Sequence, residues 1–83
     1  MSKIMIIDDD KKLSILIKDF LEPYKYHVTC FEHPKIALDK LKLLKPNLII
    51  LDIMLPDMDG FQVLRKVRET SKVPIIMLTA RGE

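Results

Sequence analysis

An α/β fold built on a doubly wound parallel sheet is predicted by three observations. Short apolar or β-branched runs alternate with helical stripes along the whole 83 residues, in the order βαβαβαβ. The run "NLIILD" (47–52) is continuously apolar, as a central parallel strand covered on both faces must be. The strands end on polar residues, Asp8, Asp52 and Thr79. In open parallel sheets ligands sit beyond the carboxyl ends of the strands.

Each element has its own justification. "KIMII" (3–7) reads as a short buried strand. "KKLSILIKDFLEPY" (11–24) reads as a helix, because Leu13, Leu16, Ile17, Phe20 and Leu21 follow the i, i+3, i+4, i+7, i+8 stripe. Asp9 or Asp10 suits its N-cap and Pro23 its end. "HVTCF" (27–31) alternates and is β-branched, a second strand. "HPKIALDKLKLLK" (33–45) is a second helix, with Pro34 in its first turn and an inward stripe of Ile36, Ala37, Leu41 and Leu44. After the third strand (47–52), "IMLPDMDG" (53–60) is a loop, in which Asp57 and Asp59 read as turn and cap residues. "FQVLRKVRET" (61–70) is a third helix, with Phe61, Leu64 and Val67 expected inward. "VPIIML" (73–78) is a fourth strand.

Composition narrows the function classes. Apolar residues make up 48% and charged residues 31%, an ordinary globular balance. A net charge of +2 is too small to argue for a nucleic acid or a membrane surface. Cys30 is the single cysteine, so no internal disulfide forms, which suits a reducing cytosol. It reads as a small buried apolar residue on the second strand. No run is long enough to span a bilayer, and Asp8–Asp10 interrupt any signal-peptide pattern. His27 and His33 read as surface or strand-edge residues, Lys11 and Lys12 as solvent-facing, and the methionines as core filler.

The acids carry the chemistry. Strand one ends at Asp8 and Asp9, and strand three at Asp52. If those strands are neighbours, three carboxylates converge. Two carboxylates about 4 Å apart repel by roughly 4 kcal/mol at an effective dielectric near 20. Hard oxygen donors of this kind select Mg2+, Mn2+ or Ca2+, and few carboxylates with room for water and a phosphate oxygen suit Mg2+ best. Helix capping needs only one acid and leaves the others unexplained.

Taken together, "IMIIDDD", "LIILDIMLPDMDGF" and "PIIMLTARGE" resemble the receiver domain of two-component response regulators, in the family's order and spacing. The style of the last two is similar to regulators that carry a winged-helix DNA-binding domain. The resemblance implies a flavodoxin-like sheet with strand order 2-1-3-4. It implies that Asp52 is the phosphoacceptor for a phosphoryl group from a sensor histidine kinase. It implies that Asp9 binds Mg2+ directly, that Asp8 does so directly or through water, and that Met54 offers a backbone carbonyl. Thr79 is expected to hydrogen-bond the phosphoryl group and act as a switch, Ala80 to keep the entrance small, and Pro56 and Gly60 to shape the loop. Asp10 matches a position that is often acidic without being a ligand. The protein is expected to be cytoplasmic and to act as no enzyme beyond its own phosphorylation and dephosphorylation.

Against the family pattern, residues 1–83 read as a single partial receiver domain without the fifth strand and the last two helices. The lysine expected at the end of a fifth strand has no counterpart, and Lys72 precedes strand four. Impaired phosphorylation and self-association through strand four or an uncovered sheet face are therefore expected. Two other readings stay open. One is a non-catalytic association or folding fragment with a vestigial acidic pocket. The other is a haloacid-dehalogenase-like phosphatase, whose DxDG signature "DMDGF" (57–61) mimics, although strand three ends five residues earlier.

Overall fold

A computed structural model of the chain describes residues 2–55 and 58–78. Four parallel strands, β1 (Lys3–Ile7), β2 (His27–Phe31), β3 (Leu48–Asp52) and β4 (Ile75–Leu78), lie in the order β2-β1-β3-β4. Three helices, α1 (Lys11–Leu21), α2 (Pro34–Leu44) and α3 (Gly60–Arg68), connect them. This is the predicted flavodoxin-like arrangement. β1 pairs with β3 from Ile4 opposite Leu48 to Ile7 opposite Leu51, so the residues just past the two strands leave the sheet side by side.

The sheet has two cores. Met5, Ile7, Ile49 and Leu51 pack with Ala37 and Leu41 of α2 and Val63 and Val67 of α3. On the other face Ile4, Ile6, Val28 and Ile50 pack with Ile17 and Leu21 of α1. The continuous apolar run of β3 is thus buried on both sides, as such a run requires.

The helices depart from their predicted stripes. In α1, Leu16 and Phe20 are each 66% exposed and Leu13 is 37% exposed, while the buried residue is Ser14. The helix meets the sheet along Ser14, Ile17 and Leu21, spaced i, i+3, i+7, and the apolar stripe is wider than that contact. Ile36 of α2 and Phe61 of α3 are half-exposed, and Val63 takes the inward place predicted for Phe61. Glu22–Tyr24 continue α1 as a 3-10 turn, with Pro23 inside that turn and Lys25 closing it at φ 71°. Cys30 is exposed rather than buried, because it lies on the edge strand β2, where α1 covers it only in part.

Capping sets the helix starts. Asp10 accepts from the backbone N–H of Leu13 at 3.1 Å and caps α1. Asp59 accepts from Gln62 N–H at 2.9 Å while the Gln62 side chain accepts from Asp59 N–H at 3.1 Å. This reciprocal box fixes the entry to α3 and contributes about 1 kcal/mol.

Candidate functional site

Three carboxylates meet where β1 and β3 end. One oxygen each from Asp8, Asp9 and Asp52 lies within 4.8 Å of the others. The parallel pairing of β1 with β3 brings them together, since Asp8 and Asp52 each follow directly on a buried strand position and Asp9 is the next residue after Asp8. Asp8 is 3% exposed and Asp52 9% exposed, whereas Asp9 faces solvent.

Backbone groups hold the two buried acids. Asp8 donates its own N–H to the Phe31 carbonyl at 2.9 Å, which ties the end of β1 to β2. Its Oδ1 accepts from Asp10 N–H at 2.8 Å. Asp52 Oδ1 accepts from Met54 N–H at 3.3 Å, and its Oδ2 has no hydrogen bond among the described residues. Burial pushes the Asp8 carboxyl above its ordinary range. The Asp10 N–H opposes that shift, and the charges of Asp52, Asp9 and Asp10 add to it.

Among the described residues no lysine or arginine forms an ion pair with these acids; Lys11 instead pairs with Glu32 at 3.3 Å. The negative charge is therefore uncompensated by the side chains described. A cluster of hard oxygen donors, partly buried and open on the Asp9 side, fits a small divalent cation. The cluster opens into a cavity of about 260 Å3 lined also by Asp10, Leu13, Met54 and Leu78. The apolar walls, Leu13 and Leu78, were not expected at the site from the sequence, where Leu13 reads only as part of the α1 stripe. Leu78, the last residue of a strand neighbouring β3, was the available signal.

Gly60 packs against the far side of the Asp52 segment. Its N–H donates to the Ile53 carbonyl at 2.7 Å. A Cβ there would lie 2.7 Å from both the Asp52 carbonyl oxygen and the Ile53 Cα. Glycine at this position is demanded by close approach of α3 to the end of β3. Thr79, Ala80, Pro56 and Asp57 lie outside the described residues. β3 ends at Asp52, so no described strand leads directly into the DxDG-like segment.

Comparison with known proteins agrees with this geometry. The family model described as response regulator receiver domain matches residues 4–83. The regulatory protein VanRc of Enterococcus gallinarum is 40% identical over 81 residues, covering 98% of this chain and 35% of VanRc. The transcriptional regulatory protein CpxR of Escherichia coli K12 is 40% identical over 82 residues, covering 99% of this chain and 35% of CpxR. The chain thus spans about a third of the length of these curated relatives. Among solved structures, the BeF3-activated N-terminal receiver domain of Klebsiella pneumoniae RstA superposes with a TM-score of 0.92 at 32% identity, covering 99% of this chain and 70% of that one. The response regulator TrrA of Thermotoga maritima, solved with Mg2+ and BeF, gives 0.89 at 32% identity, covering 99% and 72%. The chain belongs to the receiver domain family of two-component response regulators.

Proposed function

We propose that the chain accepts a phosphoryl group on Asp52 from a sensor histidine kinase, with Mg2+ held by Asp8, Asp9, Asp52 and the Met54 backbone carbonyl. The observation that carries this reading is the convergence of three carboxylates at the ends of two adjacent strands. Asp52 is the attacking group. Met54 N–H engages its Oδ1 and leaves Oδ2 available. An Asp52 oxygen forms a bond to phosphorus as the donor's phosphorus–nitrogen bond breaks, and the departing imidazole keeps the electron pair and takes up a proton. Leu13 and Leu78 limit water at the cavity wall. Asp10 caps α1 and so positions Asp8 through its N–H. Mg2+, when bound, supplies neutralisation of the charge that accumulates on carboxylate and phosphoryl oxygens. In this reading Thr79 hydrogen-bonds the phosphoryl group as a switch and Ala80 borders its entrance. The kinase, the cytoplasm and control of transcription follow as the setting, by kinship with regulators such as CpxR. Among the described residues no helix is long and apolar enough to cross a membrane.

Intact mass spectrometry after incubation with Mg2+ and acetyl phosphate tests the reading. One added phosphoryl group is expected, lost when Mg2+ is omitted and lost in Asp52→Asn. An equal adduct in Asp52→Asn would sink it.

A second reading concerns assembly. Leu16, Phe20 and Tyr24 are each 66% exposed and Ile76 is 51% exposed. β4 pairs only with β3 among the described residues. We propose that this 83-residue chain self-associates through these groups. Sedimentation velocity is expected to show a concentration-dependent shift, reduced in Phe20→Lys; a monomer at all working concentrations would contradict it.

A further inference from the structure

A second pocket, of about 270 Å3, lies between α1 and β2. It shares Asp8 with the acidic site, and Lys11, Ser14, Ile15, Cys30 and Glu32 contribute to its lining. Two of these groups are unexplained by the phosphoacceptor reading. Ser14 is 3% exposed, and its hydroxyl has no hydrogen-bond partner among the described residues. A buried hydroxyl without a partner is a costly feature that a ligand's polar group would relieve. Cys30, the only cysteine in the chain, lines the same space with its side chain accessible.

The surrounding charge restricts what enters. Lys11 and Glu32, 73% and 41% exposed in their side chains, are already paired with each other at 3.3 Å. Asp8 adds a carboxyl to the wall. A neutral molecule meets no penalty here, whereas an anion meets Asp8 with the lysine charge already matched. Ile15 gives the pocket an apolar side.

We propose that this pocket captures a small neutral disulfide, whose polar end hydrogen-bonds the Ser14 hydroxyl while Cys30 takes its thiol half. The Cys30 sulfur attacks one sulfur of the ligand. A Cys30–ligand disulfide forms, the ligand's own sulfur–sulfur bond breaks, and the released thiolate takes the proton that Cys30 gives up. No other oxidant is needed. The thiol is not intrinsically activated: burial against α1 pushes it up, Lys18 opposes this, and Glu22 adds to it. Its sulfur also donates to the Ser14 carbonyl at 3.8 Å. Capture therefore depends on a ligand being held in place rather than on a reactive thiolate.

Bis(2-hydroxyethyl) disulfide, which is neutral and carries hydroxyls, is the probe, with adduct formation on the whole chain followed by intact mass. The rate is expected to saturate with probe concentration. Ser14→Ala is expected to slow capture by roughly threefold to tenfold, the loss of one hydrogen bond. Methyl methanethiosulfonate, too small to use the pocket, is expected to label both proteins at one rate. Dithiodipropionate, a dianion, is expected to react several-fold more slowly than the neutral probe. A rate that stays linear in probe concentration and is unchanged by Ser14→Ala would show an ordinary surface thiol and overturn the proposal. A Ser14→Ala effect shared equally by both neutral reagents would overturn it too, because it would report altered packing around Cys30.

Discussion

Gly60→Ala is expected to destabilise the fold by roughly 2–3 kcal/mol, the upper range for a methyl forced into a packed site. The added carbon would sit 2.7 Å from the Asp52 carbonyl oxygen and the Ile53 Cα. Both are backbone atoms at the end of β3, and neither can rotate away. The third neighbour, Met77 Cε at 3.2 Å, is the end of a flexible side chain and can yield. Relief therefore requires α3 to back away from β3. That movement strains the Gly60 N–H bond to the Ile53 carbonyl and shifts the segment that carries Asp52 and Met54. For a chain this small the loss corresponds to a melting temperature lowered by roughly 10–20 °C. Urea unfolding followed by circular dichroism checks it. A change below about 0.5 kcal/mol, the scale of an ordinary surface substitution, would mean that the close approach does not exist.

Asp8→Asn is expected to stabilise the protein in chelator and to remove its response to Mg2+. Asparagine keeps an oxygen to accept from Asp10 N–H, so the turn into α1 survives. It removes a buried charge that faces Asp52 and Asp9, a gain on the order of 1 kcal/mol after screening. If the acids bind the cation as proposed, the wild type is expected to gain about 2.7 kcal/mol when the cation is at a hundred times its dissociation constant. Asp8→Asn forfeits most of that gain, so chelator and Mg2+ are expected to give it nearly the same urea midpoint. The pH dependence has a definite sign. The Asp8 carboxyl is raised in the folded state, so its ionisation opposes folding. Its favourable contribution is present below the ordinary carboxylate range and is lost as pH rises through the raised folded value. In chelator the wild type is expected to gain stability on mild acidification, relative to Asp8→Asn. Parallel pH profiles for the two proteins would contradict this.

Much of the fold could be read from the chain because its strands are short and chemically distinct. β1 and β2 fall at 3–7 and 27–31, as the apolar run and the β-branched alternation predict. β3 and β4 begin one and two residues later than predicted. The meeting of Asp8, Asp9 and Asp52 was legible for the same reason: side chains at the carboxyl ends of neighbouring parallel strands share one rim. Helix faces were less legible. A stripe at helical spacing shows which side is apolar but not how much of it the sheet covers. Leu16 and Phe20 therefore emerged exposed, while Ser14, polar and small, took the close contact. Phe61 and Val63 exchanged places in α3 because the helix begins at Gly60, whose contact with β3 turns Val63 inward. Gly60 itself looks like a turn residue in the sequence. The need for it is tertiary, a backbone meeting a backbone, and no local pattern encodes that.

The convergent acids are proposed to make Asp52 a phosphoacceptor. The most direct measurement is reductive trapping: the chain is incubated with Mg2+ and acetyl phosphate, reduced with borohydride, digested and mapped by mass spectrometry. An acyl phosphate is reduced to the alcohol, so conversion of Asp52 to homoserine is expected, dependent on both Mg2+ and acetyl phosphate. An unmodified Asp52 in a sample shown to be folded, or conversion of another carboxylate in its place, would show that Asp52 is not the phosphoacceptor.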